Sequence, residues 1–399
     1  MMKKHNLILK KLATIFVVLL TILSMVVVPP AQACSRFVYQ GSSNGPITAR
    51  SMDWYQDPDA RLWVFPRGMA RNGGAGDQSI EWTSKYGSIV TSSYDVATVD
   101  GINEKGLVTN ILFLEETDYG EVEPGDNTLA VGAWGQYVLD NYATVDEAVE
   151  GLQEKNLKIV TATFEQLESQ GILSLSGLSE DIQAYLKPMP FSLHMAISDQ
   201  NGDSAIVEYI KGEQVIHHSK EYDVLTNDPI YEKQLAFNSY WDYLNNPHKL
   251  MPGVSFLPGS SDPSSRFIRA SYYLRQMNGK AQFHENSIEE RRSELAAALG
   301  IIRNISDPLG LDSFAFSTTQ WRSVASQNQD PSWFTYLFEY TKSPNLFWLS
   351  MNKQNFDLEN GARVMALETI NSLNLVGEVS GDLKPTCPFS WDLSFPLDD

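Results

Sequence analysis

Ala31-Gln32-Ala33-Cys34-Ser35-Arg36-Phe37 is the stretch that decides how the rest of the chain is read. Ala31-Gln32-Ala33 is an A-x-A triplet of the kind a signal peptidase cuts after, and it abuts a cysteine. Upstream, Lys3, Lys4, Lys10 and Lys11 form a positive n-region. Leu12 to Val28 is an apolar run broken only by Thr and Ser, and Pro29-Pro30 follows. An uncleaved membrane anchor is the competing reading, since the run lies at the low end of the ~17–25 residues needed to span. The proline pair and the triplet favour cleavage. Residues 1–33 therefore read as an export signal, and 34–399 as a periplasmic or secreted mature protein.

Removing 33 of the 399 residues leaves 366. No other stretch is apolar enough to span a bilayer, so no membrane contact is expected after cleavage. The lost segment carries four lysines and no acids, so the formal charge goes from −19 to −23. A chain this acidic will not bind nucleic acid by neutralising phosphates. It also gives no long-range steering toward an acidic substrate, which would have to meet local arginines. No Pro- or Gly-rich linker divides 34–399, which reads as a single domain.

Cys34 and Cys387 are the two cysteines, at opposite ends of the mature chain. In an exported protein, two cysteines suggest one disulfide. A lipidated Cys34 is a further reading, although Ala31 stands where a lipoprotein signal usually has Leu. Either would make the chain an exported binding protein without catalysis. The third reading is chemical. Cleavage after Ala33 would give Cys34 a free α-amine beside its thiol. The amine has a reference pKa of about 7.7–8.0 against about 8.5 for the thiol, so it can take the thiol proton near neutral pH. One residue would then supply nucleophile and base, and no catalytic histidine would be needed.

The segment pattern is β-rich at both ends with helices between. Strands are expected at Arg36–Gln40, Pro46–Trp54 and Leu62–Pro66, then a hairpin over Ser79–Tyr94 around Gly87, then the apolar run Leu107–Leu114. Helical spacing marks Leu129–Tyr142 and Val145–Lys155, the second with Thr144 or Asp146 as cap. Phe191–Asp199, Asn201-Gly202 and Ser204–Tyr209 read as a hairpin with a type I′ turn. After a strand at Tyr222–Thr226, helices are expected at Tyr231–Leu244, Phe267–Met277 and Ile288–Ile302. Strands return at Thr318–Ala325, Trp333–Tyr340 and Asn345–Ser350. Hairpins dominate and β-α-β alternation is absent, which argues for an α+β fold of antiparallel sheets with segregated helices.

Familiar catalytic motifs are absent: there is no G-x-S-x-G, Walker loop or H-E-x-x-H. His217-His218 is a lone pair, and no Cys/His cluster has zinc spacing. No metal or cofactor is expected. A set of ordered pieces is different in kind. Cys34-Ser35-Arg36-Phe37 and Arg50-Ser51-Met52-Asp53-Trp54 are followed by Asp100-Gly101-Ile102-Asn103-Glu104-Lys105-Gly106-Leu107. Then come Val224-Leu225-Thr226-Asn227, Leu257-Pro258-Gly259 and Ser265-Arg266-Phe267-Ile268-Arg269. Together they resemble the choloylglycine hydrolases, a family of N-terminal nucleophile hydrolases that contains the penicillin V acylases and the conjugated bile salt hydrolases.

The resemblance implies a four-layer αββα sandwich and a small-molecule amide substrate. It makes Cys34 the nucleophile. Arg50 and Asp53 become the pair beside it, Arg50 favouring the thiolate and Asp53 holding the α-amine. Asn227 becomes the side-chain donor of the oxyanion hole, and Arg266 the arginine that steadies the transition state or a substrate carboxylate. Phe113 falls where many members carry Asn or Tyr, in a segment whose backbone N–H serves the oxyanion. The connection from Asn227 to Arg266 looks shorter than in Gram-positive relatives, where it helps build a tetramer, so the implied homo-oligomer is open in size. Trp54, Trp82 and Phe113 would offer aromatic surface to an acyl group. This favours penicillin V acylase over bile salt hydrolase, with N-acyl homoserine lactones as a further expected substrate.

Overall fold

In the computed structural model, residues 34–41, 44–245, 255–278, 288–308, 317–327, 335–343, 345–366 and 375–392 are described. The expected export signal lies outside them, as do the first two residues of the strand expected at Trp333–Tyr340. Among the described residues the chain builds two large sheets. The first has seven strands in the order Val224–Thr226, Ser35–Tyr39, Ile47–Trp54, Thr318–Ser326, Tyr336–Tyr340, Leu346–Leu349 and Gly377–Glu378. Its pairings are antiparallel except the last, where Leu346–Leu349 and Gly377–Glu378 run parallel. The second has nine strands in the order Glu213–His218, Ser204–Ile210, Leu193–Ser198, Val108–Phe113, Ala97–Asn103, Ser88–Ser93, Arg61–Phe65, Arg363–Ala366 and Lys384–Pro385.

The two sheets pack face to face. Ser323 Oγ donates to Asp100 Oδ2 across the interface at 2.8 Å, and Thr91 Oγ1 meets the Tyr336 hydroxyl at 2.7 Å. Helices Pro263–Asn278 and Ile288–Asn304 cover the first sheet, and Trp134–Asn141 lies on the second. The result is an α+β, four-layer αββα sandwich. Strands Ser35–Tyr39 and Ile47–Trp54 are buried along their whole length, as central strands covered on both faces must be.

Several expected elements form as read. The helix Val145–Lys155 starts under the Thr144 side chain, which accepts from the Glu147 amide. Tyr231–Leu244 is a helix over the expected span. Others need correction. Leu129–Tyr142 is not one helix: Thr128–Ala130 is a strand paired with Lys158–Val160, Val131–Ala133 is a single tight turn, and the helix runs Trp134–Asn141. Gly132 shows why the backbone departs from a helical path there. A Cβ on it would sit 2.1 Å from the Val96 carbonyl oxygen, so tertiary packing overrides the local period.

Ser79–Tyr94 is not a hairpin. Glu81–Thr83 pairs with Ala70–Asn72, whereas Ser88–Ser93 pairs with Arg61–Phe65 and Ala97–Asn103. Asn201-Gly202 does not make a type I′ turn, because only Gly202 takes a left-handed φ, +72°. Asp199 holds a longer loop instead, its Oδ1 accepting from the amides of Asn201 and Asp203. Two short helices, Phe164–Ser169 and Glu180–Leu186, carry too few turns to show a period.

Candidate active site

Cys34 precedes the strand Ser35–Tyr39, which lies between Val224–Thr226 and Ile47–Trp54. The register Ser35↔Thr226, extended by one residue, sets Cys34 against Asn227. On the other side Ser35 pairs with Ser51, so the Arg50–Trp54 stretch runs past the thiol. The Asp53 amide donates to Cys34 Sγ at 3.4 Å, and the Met52 sulfur lies 3.9 Å away. Cys34 is buried, and burial pushes its thiol above the ordinary range. The positive charge of Arg50 opposes that rise, and the Asp53 carboxylate adds to it. Both cysteines are free, Cys34 inside and Cys387 exposed, so the disulfide reading falls.

Arg50 occupies an unusual place. Pairing between Ala97–Asn103 and Val108–Phe113 stops at Asp100↔Asn110. At the next step outward, where Val99 and Ile111 would face each other, the guanidinium of Arg50 reaches in from the opposite sheet. Nη1 donates to the Val99 carbonyl at 2.7 Å, and Nη2 to that of Ile111. Nη2 also reaches the Met52 sulfur at 3.3 Å, Asp100 lies 3.7 Å from Nη1, and the Trp321 ring stacks at 4.9 Å. The split opens beside Phe113. The Leu114 amide bonds to Ser192, so strand alternation turns the Phe113 amide the other way, toward the split.

Asp53 and Arg266 come together as a buried ion pair. Arg266 sits in the first turn of the helix Pro263–Asn278 and is fully buried. Its Nη1 donates to Asp53 Oδ2, its Nη2 to Asp307 Oδ2, and its Nε to the Ser261 carbonyl at 2.7 Å. Thr319 Oγ1 donates to the other Asp53 oxygen and accepts from the Asp307 amide. The guanidinium of Arg266, expected to steady substrate, bonds two buried carboxylates here and holds Asp53 in place.

Beside Cys34 lies an apolar cleft whose empty space, counted out into open solvent, is about 760 Å³. Cys34, Arg50 and Met52 line it together with the aromatic residues Trp54, Phe113 and Phe191. Trp54 stacks on Phe164 at 6.3 Å and meets Phe191 edge-on at 5.7 Å. Trp82 does not line it. Its strand belongs to the separate pair with Ala70–Asn72, and its indole donates to Asp140 at 2.8 Å while packing on Tyr137 and Trp391. The histidine pair divides as strand neighbours do: His217 meets Glu208 inside at 3.3 Å, and His218 faces Asp203 and Asp146.

Sequence reasoning missed Met52, Asp100, Asp307, Thr319 and Tyr94. The first two lie inside the ordered motifs, so attention to their neighbours could have found them. Asp307 and Thr319 sit in stretches with no motif and reach Asp53 only through the fold.

A cysteine leading a central strand of an αββα sandwich is the architecture of the N-terminal nucleophile hydrolases. The chain belongs to the choloylglycine hydrolase family of linear amide C–N hydrolases, whose model matches residues 34–363 and so begins at Cys34. It is 42% identical over 378 residues to the penicillin V acylase of Pectobacterium atrosepticum, covering 90% of this chain and 92% of that one. It is 24% identical over 298 residues to a bile salt hydrolase/transferase of Clostridium perfringens, covering 69% and 80%. Among solved structures, penicillin V acylase from Agrobacterium tumefaciens matches with a TM-score of 0.72 at 39% identity, over 90% of this chain and 99% of that one. A mutant of the conjugated bile acid hydrolase of Clostridium perfringens matches at 0.63 and 22%, over 81% and 94%, a likeness of fold.

Proposed function

We propose that the chain is a penicillin V acylase whose nucleophile, Cys34, becomes N-terminal when an export signal is removed after Ala33. The observation that carries the reading is that Cys34 lines an apolar, aromatic-walled cleft together with Arg50, while the strand register sets it against Asn227. The cleft suits a bulky uncharged acyl group, which can stack on Trp54 and Phe113 for about 0.5–1.5 kcal/mol beyond the area it buries. The 42% identical relative carries the same activity in its name.

Burial raises the Cys34 thiol, so the thiol needs a base at hand. The new α-amine takes the proton, and Arg50 stabilises the thiolate electrostatically. Asp53, fixed by Arg266 and Thr319, holds the resulting ammonium. The sulfur attacks the amide carbonyl. Asn227 and the Phe113 amide receive the oxyanion, one from each sheet. The C–N bond breaks as the ammonium returns its proton to the leaving nitrogen. Water then attacks the thioester carbonyl, giving the proton to the α-amine, and the thiol is restored with release of the acid.

Export places the mature enzyme in the periplasm or outside the cell. Phe237, Tyr240, Tyr243 and Phe256 are exposed on and after the helix Tyr231–Leu244, which supports a homo-oligomer. The test is a side-by-side assay of purified protein starting at Cys34. Penicillin V should exceed glycocholate and taurocholate in kcat/KM, with long-chain acyl homoserine lactones also cleaved. Conjugated bile salts as the best substrates would reject the acylase reading and keep the cysteine mechanism.

A further inference from the structure

The turn between Ser88–Ser93 and Ala97–Asn103 borders the cleft, contributing Ser93, Tyr94, Val96 and Ala97 to its wall. Two of its residues, Tyr94 and Asp95, take left-handed φ values of +54° and +50°. That conformation is uncommon for a non-glycine residue and an outlier for one as bulky as tyrosine. The fold holds it from several directions. The Tyr94 amide donates to the Pro58 carbonyl at 2.7 Å. Asp95 accepts from the Trp63 indole at 3.0 Å and from Ser92 Oγ at 2.6 Å, and pairs with Arg61 at 2.6 Å. The Val96 amide closes the turn on the Ser93 carbonyl at 3.1 Å, and a two-residue hairpin turn of this kind takes positive φ at both central residues, so the turn and its braces together fix where the Tyr94 side chain lies.

What is set is a phenol. The Tyr94 oxygen accepts from Trp54 Nε1 at 2.8 Å and from Gln56 Nε2 at 2.6 Å. An indole N–H and an amide NH₂ can only donate, so both bonds use the lone pairs of the oxygen and neither uses its proton. The ring next to it on the cleft wall, Trp54, is apolar, as are Phe113 and Phe191. A phenol that accepts two bonds is also a stronger donor, because hydrogen bonds in a chain polarise one another.

We propose that Tyr94 is a specificity-determining residue: its hydroxyl donates to an acceptor oxygen in the substrate's acyl group, an aryl ether in the phenoxyacetyl amides. This deepens the acylase reading and rests on it. Stacking against Trp54 recognises the ring, and the Tyr94 proton recognises the oxygen that joins the ring to the methylene of the acyl group. Phenoxyacetyl amides are then favoured over 3-phenylpropionyl amides, which keep chain length and ring but replace the ether oxygen with a methylene. The discrimination comes from one neutral hydrogen bond, a factor of about 3–10.

The experiment compares amides of one amine carrying phenoxyacetyl, phenylthioacetyl and 3-phenylpropionyl groups, with wild type and Tyr94→Phe. Phenylalanine keeps the ring and the backbone demand. In the wild type, kcat/KM should fall in the order ether, thioether, methylene, as acceptor strength falls. In Tyr94→Phe the ether-to-methylene ratio should drop to near one. The wild-type series reads the same property without any substitution, so a poorly folding variant leaves the idea exposed. Wild-type rates indifferent to the bridging atom, or an unchanged ratio in the variant, would overturn the assignment of Tyr94 alone. Failure of the wild type to cleave any of the three would remove the acylase reading and this inference with it.

Discussion

Arg266 and Asp53 stand 213 residues apart in the chain and form a buried ion pair, with Asp307 on the second nitrogen of the same guanidinium. Arg266→Leu would leave two carboxylates in the interior without their counter-charge. Breaking a buried pair from one side costs about 3–5 kcal/mol. The variant should therefore lose stability on that scale in urea titration. Arg266→Lys should recover only part, because an ammonium cannot present the planar fork that serves Asp53 and Asp307 together. A variant with wild-type stability and only a raised KM would return Arg266 to the role of substrate contact.

Activity should depend on where the chain starts. Protein beginning at Cys34 should turn over. A stable Met before Cys34 should silence it, since the base is then an amide. Cys34→Ala should fold and be inactive, and Cys34→Ser should be severely impaired because a hydroxyl gives up its proton far less readily. Mass spectrometry of the N-terminus together with amide hydrolysis decides this, and full activity with the extension in place rules out the amine as base.

Much of this site is legible in the amino-acid sequence. Cys34, Arg50, Asp53 and Asn227 sit in short motifs, and all four lie on or beside adjacent strands whose apolar runs are easy to read. Arg266 is legible as a special residue but its partners are not. A sequence shows an arginine at a helix start and cannot show that two aspartates, one of them 41 residues further on, close around it. Trp82 and Trp54 look alike as aromatic residues in a β-rich region. The strand pairing that sends one to the cleft and the other to Asp140 is a long-range choice. The false hairpin over Ser79–Tyr94 has the same cause: local alternation fixes that a strand exists, not which strand it meets.

Asn227→Ala should lower kcat by about 10²–10³ with a smaller change in KM, because an oxyanion donor acts mainly in the transition state. A KM increase at constant kcat would reassign it to ground-state binding.

Trp82→Phe should leave the kinetics on penicillin V close to wild type while costing some stability, since Asp140 loses one donor of its buried network with Arg71 and Gln136. A large change in KM would bring Trp82 back to the substrate.

Glu208 gives a pH dependence. Burial works to raise its carboxyl, but bonds from His194 and His217 outweigh burial, with help from the Tyr231 amide, and hold it at about 2. A depressed carboxyl contributes stability above its unfolded pKa of about 4.3, lost as pH falls toward 2. The contribution is on the order of 3 kcal/mol at neutral pH. Urea midpoints of the wild type should fall across that window, and those of Glu208→Gln should start lower and stay flatter. Parallel profiles for the two proteins would refute the assignment.

The place of Arg50 has a consequence for how such an enzyme can evolve. One guanidinium both charges the surroundings of the Cys34 thiol and sits between the strands that part beside Phe113. Lysine keeps the charge but cannot span both carbonyls, and an apolar residue of similar bulk fills the same space but loses the charge. Reactivity and the shape of the acyl site are thus tied to one codon. A lineage exploring new acyl groups is left with other lining positions, such as Tyr94 and Phe191, which lie apart from Arg50 and its two carbonyls.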